Sequence, residues 1–259
     1  MNLQLEGKRA LVTGSTAGIG FAIAAALANE GASVIVNGRT QKRVDAALAK
    51  LKGAAEGVAA DLGTAKGAGV VAGLYPDVDI LINNLGIFEP KPFEQIPDED
   101  WMRFFEVNVL SGVRLSRQYL PGMKKRNWGR IIFISSESAV QIPAEMIHYG
   151  MTKTAQIAVA RGLAETTKGT NVTVNSVLPG PTASEGVGDF VKSMAEGQKT
   201  DAATVEREFF KSVRPSSLIQ RFARPEEVAA LVAFVASPLS SATNGAALRV
   251  DGGVVRAIL

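Results

Sequence analysis

Thr13-Gly14-Ser15-Thr16-Ala17-Gly18-Ile19-Gly20 lies between an apolar, strand-like stretch (Lys8-Arg9-Ala10-Leu11-Val12) and an alanine-rich helical one from Phe21 to Asn29. Glycines at a strand-to-helix turn let the backbone come close to a phosphate. The free N–H groups and dipole of the helix start then favour that negative charge. A tight turn with no ligand would use the same residues, so the reading depends on what surrounds it.

Outward from that turn the chain keeps one rhythm. Short apolar runs at 10–13, 33–36, 57–60, 80–83, 131–135, 172–177 and 247–250 read as strands. Helical patterns fill 19–30, 41–52, 64–73, 98–125, 146–167 and 225–236. The strands alternate little between apolar and polar, the pattern of strands buried on both faces. Repeated strand–helix–strand units with right-handed crossovers predict an α/β, Rossmann-like, doubly wound parallel sheet of about seven strands, with helices on both faces. No linker rich in Ser, Gly or Pro divides the chain, so one domain is expected over 1–259. The rhythm breaks at 182–220, after Pro179-Gly180-Pro181, where two helical patches (189–197 and 202–213) stand without a strand. Ligands of such sheets sit outside the carboxyl ends of the strands, so this insertion is expected to form a lid.

Composition narrows the chemistry. A net charge of +3 with scattered charges gives no reason to expect a nucleic-acid partner. Having no cysteine and one histidine, His148, the chain offers no thiol catalysis, no disulfide and no metal site of several imidazoles. No apolar run reaches the roughly 18 residues of a membrane span, and Met1 to Lys8 carries no apolar signal segment. A cytoplasmic enzyme without a membrane partner is expected.

Tyr149 and Lys153 lie four apart on a helical pattern, hence on one face and one turn apart. Bringing a phenol from a pKa near 10 to near 7 takes about 4 kcal/mol, which an ammonium about 4 Å away supplies at an effective dielectric of about 20. The pair therefore reads as an acid–base unit with Lys153 as its tuner. By itself such a pair is common on solvated helices; its neighbours give it meaning. Ser136 ends the run Ile131-Ile132-Phe133-Ile134-Ser135-Ser136, and Asn83-Asn84-Leu85-Gly86 ends the run that starts at Asp79. The sheet brings both to the edge that carries the glycine turn, and Asn108 lies in the helix that follows. His148 points about 100° around the helix from Tyr149 and is read as a packing or surface residue.

In order and spacing, these segments resemble the short-chain dehydrogenase/reductase family from about Gly7 to Gly253. The resemblance is carried by Thr13-Gly14-xxx-Gly18-Ile19-Gly20, Asp61-Leu62, Asn83-Asn84-Leu85-Gly86, Asn108, Ser136, Tyr149-xxx-Lys153, Pro179-Gly180 and Val250-Asp251-Gly252-Gly253. Leu85 departs from it, standing where the family usually has alanine. The resemblance implies that Tyr149 gives a proton to a carbonyl oxygen as hydride arrives, while Ser136 hydrogen-bonds the same oxygen. Lys153 would lower the Tyr149 pKa and bind the nicotinamide ribose, and Asn108 would hold a water in a proton relay. A dinucleotide would be held by Gly14, Ser15, Thr16, Ala17, Gly18, Ile19 and Gly20, by Asn84, Leu85 and Gly86, and by Tyr149 and Lys153. Pro179, Gly180 and Thr182 would complete its site, with Asp61 on the adenine amino group and Leu62 beside it.

An acidic residue about 20 positions beyond the glycines binds the ribose 2′-hydroxyl of NAD. Here Val34-Ile35-Val36-Asn37-Gly38-Arg39-Thr40 places Gly38 there, followed by Arg39. A missing carboxylate and an added guanidinium favour NADP(H), with NAD(H) as the alternative. Ala17 weighs the other way, since many NADP-using relatives carry a basic residue in the turn. The stretch 138–147 is largely apolar and suits a neutral or hydrophobic carbonyl substrate, with Glu145 expected on the surface. Lys124-Lys125-Arg126 would suit an acidic carrier protein, which makes a 3-oxoacyl-[acyl-carrier-protein] reductase of fatty-acid synthesis the second reading. Cations at a helix C-terminus are also what the dipole alone favours. A non-catalytic dinucleotide-binding regulator is the third. By resemblance a homotetramer is expected, with a dimer as alternative.

Overall fold

The computed structural model describes residues 2–184, 187, 188, 195, 197 and 200–258; the helical patch expected at 189–197 lies mostly outside them. Seven strands, β1 (Arg9–Val12), β2 (Ser33–Gly38), β3 (Ala55–Ala59), β4 (Ile80–Asn83), β5 (Gly129–Ile134), β6 (Val172–Pro179) and β7 (Ala247–Val250), form one sheet. Its order is β3-β2-β1-β4-β5-β6-β7 and every neighbouring pair is parallel. Between them run α1 (Gly18–Asn29), α2 (Gln41–Leu48), α3 (Ala65–Leu74), α4 (Asp98–Phe105), α5 (Ser111–Lys125), α6 (Ile147–Glu165), α7 (Ala202–Ser212) and α8 (Pro225–Ala236).

Successive strand residues enter opposite cores. Ala10, Val12, Val34, Val36, Ile80, Ile82, Ile132 and Ile134 pack on one face with Ile23 and Leu27 of α1 and Val228 and Val232 of α8. Leu11, Ile35, Leu81, Ile131 and Phe133 pack on the other with Val71 of α3, Leu115 and Tyr119 of α5 and Ala160 of α6. Both faces are dry, which is why the strands read as apolar runs. Each buried Val, Leu or Ile contributes about 1.5–3 kcal/mol. Local chemistry starts several helices: Thr64 Oγ1 accepts from Gly67 N at 3.0 Å, Asp201 Oδ1 accepts from Thr204 N at 2.9 Å, and Pro225 opens α8.

Two expected helices end early. The 98–125 helix is interrupted: α4 stops at Phe105 and a π turn occupies Glu106–Leu110 before α5 begins. That wider turn presents the Asn108 carbonyl to Gln156 of α6, whose Nε2 donates to it at 2.5 Å. The cause is tertiary, so local periodicity did not show it. α2 stops at Leu48 rather than 52, because Lys50 N and Leu51 N tighten onto Ala47 O and Leu48 O. β4 has its neighbours β1 and β5 on either side, and the strand order reverses at β1, where a crevice opens beyond the carboxyl ends. Among the described residues no helix is long and apolar enough to cross a membrane.

Candidate active site

The glycine turn is braced from behind. Gly14 and Gly18 have φ of +59° and +55°, a region that L side chains rarely adopt. A Cβ on Gly20 would collide with Gly14 O and lie 2.5 Å from Asn84 Nδ2. Ser15 Oγ donates to Val12 O at 2.6 Å and accepts from Asn37 N at 3.0 Å. Asn84 Nδ2 donates to Thr13 O and Gly14 O at 2.9 and 3.1 Å. The Ser15 and Asn84 side chains therefore support the turn from inside. Leu62 likewise belongs to the core, 1% exposed. What faces outward is main chain: Ala17, the N-cap of α1, has no side-chain oxygen to cap the helix, so the first N–H groups keep their capacity for an anion. A dinucleotide phosphate fits such a cradle.

The other expected cofactor contacts border this turn or the strand ends beyond it. Asp61 is exposed and its Oδ1 accepts from Gly63 N at 3.0 Å. Arg39 is exposed just past β2, and a Cβ on Gly38 would lie 2.5 Å from Thr16 Cγ2. A second guanidinium, which the sequence reading missed, joins it: Arg43 Nε donates to Thr16 Oγ1 at 3.4 Å. Leu85 packs beneath Gly14, with Cδ1 3.5 Å from where a Cβ there would stand. A Cβ on Gly86 would be 3.3 Å from Lys153 Nζ. At the end of β6 Pro179 is buried, a Cβ on Gly180 would collide with Asp251 O, and Thr182 Oγ1 donates to Gly180 O at 2.9 Å.

Ser136, Tyr149 and Lys153 meet at this edge. Ser136 leaves β5 in extended conformation, and its hydroxyl, close to the Tyr149 phenol, acts to lower that group's pKa. The Tyr149 ring stands edge-on to Phe88, with centroids 6.4 Å apart, and Lys153 Nζ lies 5.6 Å from its centroid. Lys153 is 4% exposed and donates to Ile134 O at 2.9 Å. Burial dominates both groups. It raises the phenol above its usual 10, against the Ser136 hydrogen bond, and lowers Lys153 to about 8. The polypeptide by itself therefore keeps the proton on Tyr149, and the lysine's pull does not dominate as the spacing suggested.

Asn108 is fully buried and works as a brace. Its Oδ1 accepts from Ile87 N at 2.8 Å, and its Nδ2 donates to Ile87 O and Thr152 Oγ1, both at 3.0 Å. The loop after β4 is thereby tied to α6. His148 packs against Phe104 and Trp101, with centroids 4.0 and 6.0 Å away, and neither ring nitrogen has a partner among the described residues. Burial lowers its pKa, as befits a packing residue.

One expectation changes. Lys124 and Arg126 lie at the opposite edge of the sheet, where Lys124 Nζ donates to Thr166 O at 2.7 Å and Arg126 binds Asp77 Oδ1 and Val78 O just before β4. α5 runs back along the strands, so its C-terminus ends at the edge opposite the one that carries Ser136, and these two cations are engaged there. Glu145 lies on the surface as expected, and from there it pairs with Arg214 at 3.1 Å. Arg214 also reaches Glu137 beside Ser136, so the apolar stretch 138–147 borders a buried ion pair. A separate concavity of about 680 Å³ is lined by Leu218, Arg249, Asp251 and Arg256, apart from these groups.

Comparison with known proteins agrees with this geometry. A family profile described as short chain dehydrogenase matches residues 8–195. The chain is 54% identical, over the whole of both sequences, to the uncharacterized oxidoreductase YvaG of Bacillus subtilis. It is 34% identical to D-beta-hydroxybutyrate dehydrogenase of Cupriavidus necator, over 97% of this chain and 99% of that one. The structure of L-sorbose reductase from Gluconobacter frateurii, complexed with NADPH and L-sorbose, matches with a TM-score of 0.93 at 31% identity, covering both chains completely.

Proposed function

We propose that this protein, which belongs to the short-chain dehydrogenase family, moves hydride between NADP(H) and a carbonyl or secondary-alcohol carbon, with Tyr149 as the acid–base group. As a member of that family it is an oxidoreductase of CH–OH and carbonyl groups. The observation that carries the finer reading is the meeting of Tyr149, Ser136 and Lys153 at the strand edge beside the glycine cradle. The dinucleotide supplies or takes up the hydride when bound. In reduction, Tyr149 holds a proton that burial keeps in place until the substrate oxygen gains charge, and then gives it to that oxygen. Ser136 directs a hydrogen bond to the same oxygen. Lys153, beside Gly86, offers an ammonium to the ribose and eases departure of the phenol proton in the oxidising direction. Asn108 keeps the loop after β4 in register with α6.

NADP(H) is the preferred dinucleotide in this reading. Arg39 and Arg43 flank Gly38, where a carboxylate would repel a 2′-phosphate, and the similar L-sorbose reductase holds NADPH. A homotetramer, or a dimer, in the cytoplasm completes it. A screen of NADPH oxidation across ketones, aldehydes and 3-oxo-thioesters, repeated with NADH, is the test. Consumption with at least one carbonyl class, faster with NADPH, is expected; no consumption with either dinucleotide would refute the reading. Turnover limited to 3-oxo-thioesters would support the fatty-acid reductase instead.

A further inference from the structure

A buried ion pair stands directly behind the serine. Glu137 and Arg214 are 4% and 8% exposed, and Arg214 Nε lies 3.0 Å from Glu137 Oε1. The other oxygen, Oε2, accepts from Ser136 Oγ at 2.5 Å and from Ser138 N and Oγ at 2.5 and 2.8 Å. Arg214 Nη1 continues to Glu145 Oε1 at 3.1 Å and Val213 O at 2.9 Å. Burying such a pair rarely stabilises a fold more than apolar residues of the same volume would, so stability alone is a weak reason for it.

A serine hydroxyl carries one proton. Given to Glu137, that proton is not aimed at a substrate oxygen, and the Ser136 oxygen itself accepts from Ser138 N at 3.1 Å. To help a carbonyl substrate the hydroxyl must turn, and Glu137 must release it. Arg214 neutralises the same carboxylate and so weakens its hold. Building on the reductase reading, we propose that Glu137 is a positioning residue that orients the Ser136 hydroxyl. Arg214, arriving on the segment after α7, moderates that hold, so the seating of this segment is felt at the catalytic serine.

Among the described residues, the charged groups that act on Tyr149 or lie near its ring are Lys153 on its own helix, Glu137 after β5 and Arg214 after α7, with Glu145 and His148 just before it in the chain. Among them Glu137 opposes loss of the phenol proton and Arg214 assists it. Alcohol oxidation needs that proton gone, so kcat/KM rises with pH along a limb set by Tyr149.

The test measures this limb with NADP+ and a panel of 2-octanol, 3-hydroxybutyrate and sorbitol. It compares the wild type with Glu137→Gln, Arg214→Gln and the double variant. Glu137→Gln is expected to move the limb about one pH unit down and Arg214→Gln about one unit up, each about tenfold in kcat/KM at a fixed pH on the limb. The double variant returns towards the wild-type limb. Glu208→Gln, on the exposed face of α7, leaves it in place. Should a single variant not fold, Glu137→Asp keeps the charge but withdraws it from Ser136, and is expected to lower kcat with little change in NADP+ affinity. A limb unmoved in every active variant, or a Glu137→Asp enzyme with unchanged kcat, overturns this proposal and leaves the reductase reading standing. A wild type that turns over no alcohol or carbonyl with either dinucleotide overturns both.

Discussion

At the amino edge of the sheet, three cations reach main chain, while Arg9 pairs with Glu56. Lys124 donates to Thr166 O, Arg126 to Val78 O as well as to Asp77, and the buried Arg130 to Ser237 O, Gly129 O and Asn171 O. At the carboxyl edge, Ser136, Glu137 and Arg214 bond to one another beside Tyr149. A side chain that finishes on a backbone carbonyl holds the fold; Lys153, which donates to Ile134 O, keeps further donors for the site. A chain of side chains linked to each other can trade partners and protons. The same strands build both edges; what differs is where their polar groups end.

The largest expected break in this contrast is at Ser136. Ser136→Ala should lower kcat about 10²–10³-fold with cofactor binding kept, since it removes a donor aimed at the developing oxyanion. Next comes the adenosine end. Arg39→Ala should raise the KM for NADPH about tenfold and leave that for NADH nearly unchanged, because only NADPH carries the 2′-phosphate.

His148 tests whether proximity to Tyr149 is enough for a catalytic role. Burial lowers its pKa below the ordinary 6.5, so the unfolded chain binds the extra proton first. Stability is full above 6.5 and falls below it, by about 1.4 kcal/mol per pH unit until the folded-state pKa is reached. Chemical denaturation from pH 7 to 5 should show that slope. His148→Phe should flatten it while the activity profile keeps its Tyr149 limb.

The smallest effect belongs to the amino edge. Arg126→Ala should leave turnover unchanged and cost less than about 1 kcal/mol, because its partner Asp77 is exposed. A marked loss of activity there would erase the distinction between the edges.

The sheet was legible because the inner strands are mostly apolar on both faces, with Thr173, Asn175 and Ser176 of β6 among the exceptions, and period and run length are local properties. The strand-end placement of Ser136, and of Tyr149 and Lys153 one helical turn apart, followed from the same pattern. What stayed hidden depends on distant partners. Gln156 takes the carbonyl that the π turn presents, 48 residues earlier in the chain, and Arg214 reaches Glu137 across 77 residues. Arg43 sits in a helix that reads as solvated, and only the fold brings it to Thr16. The side chains of Ser15 and Asn84 look like ligand contacts in the sequence, yet their hydrogen bonds run inward.

The central claim is that Tyr149 supplies the proton at a crevice that binds the dinucleotide independently of it. Tyr149→Phe should bind NADPH, followed by its fluorescence, about as well as the wild type, while carbonyl reduction falls about 10²–10⁴-fold. A phenylalanine enzyme that reduces the same carbonyl at the wild-type rate would contradict it.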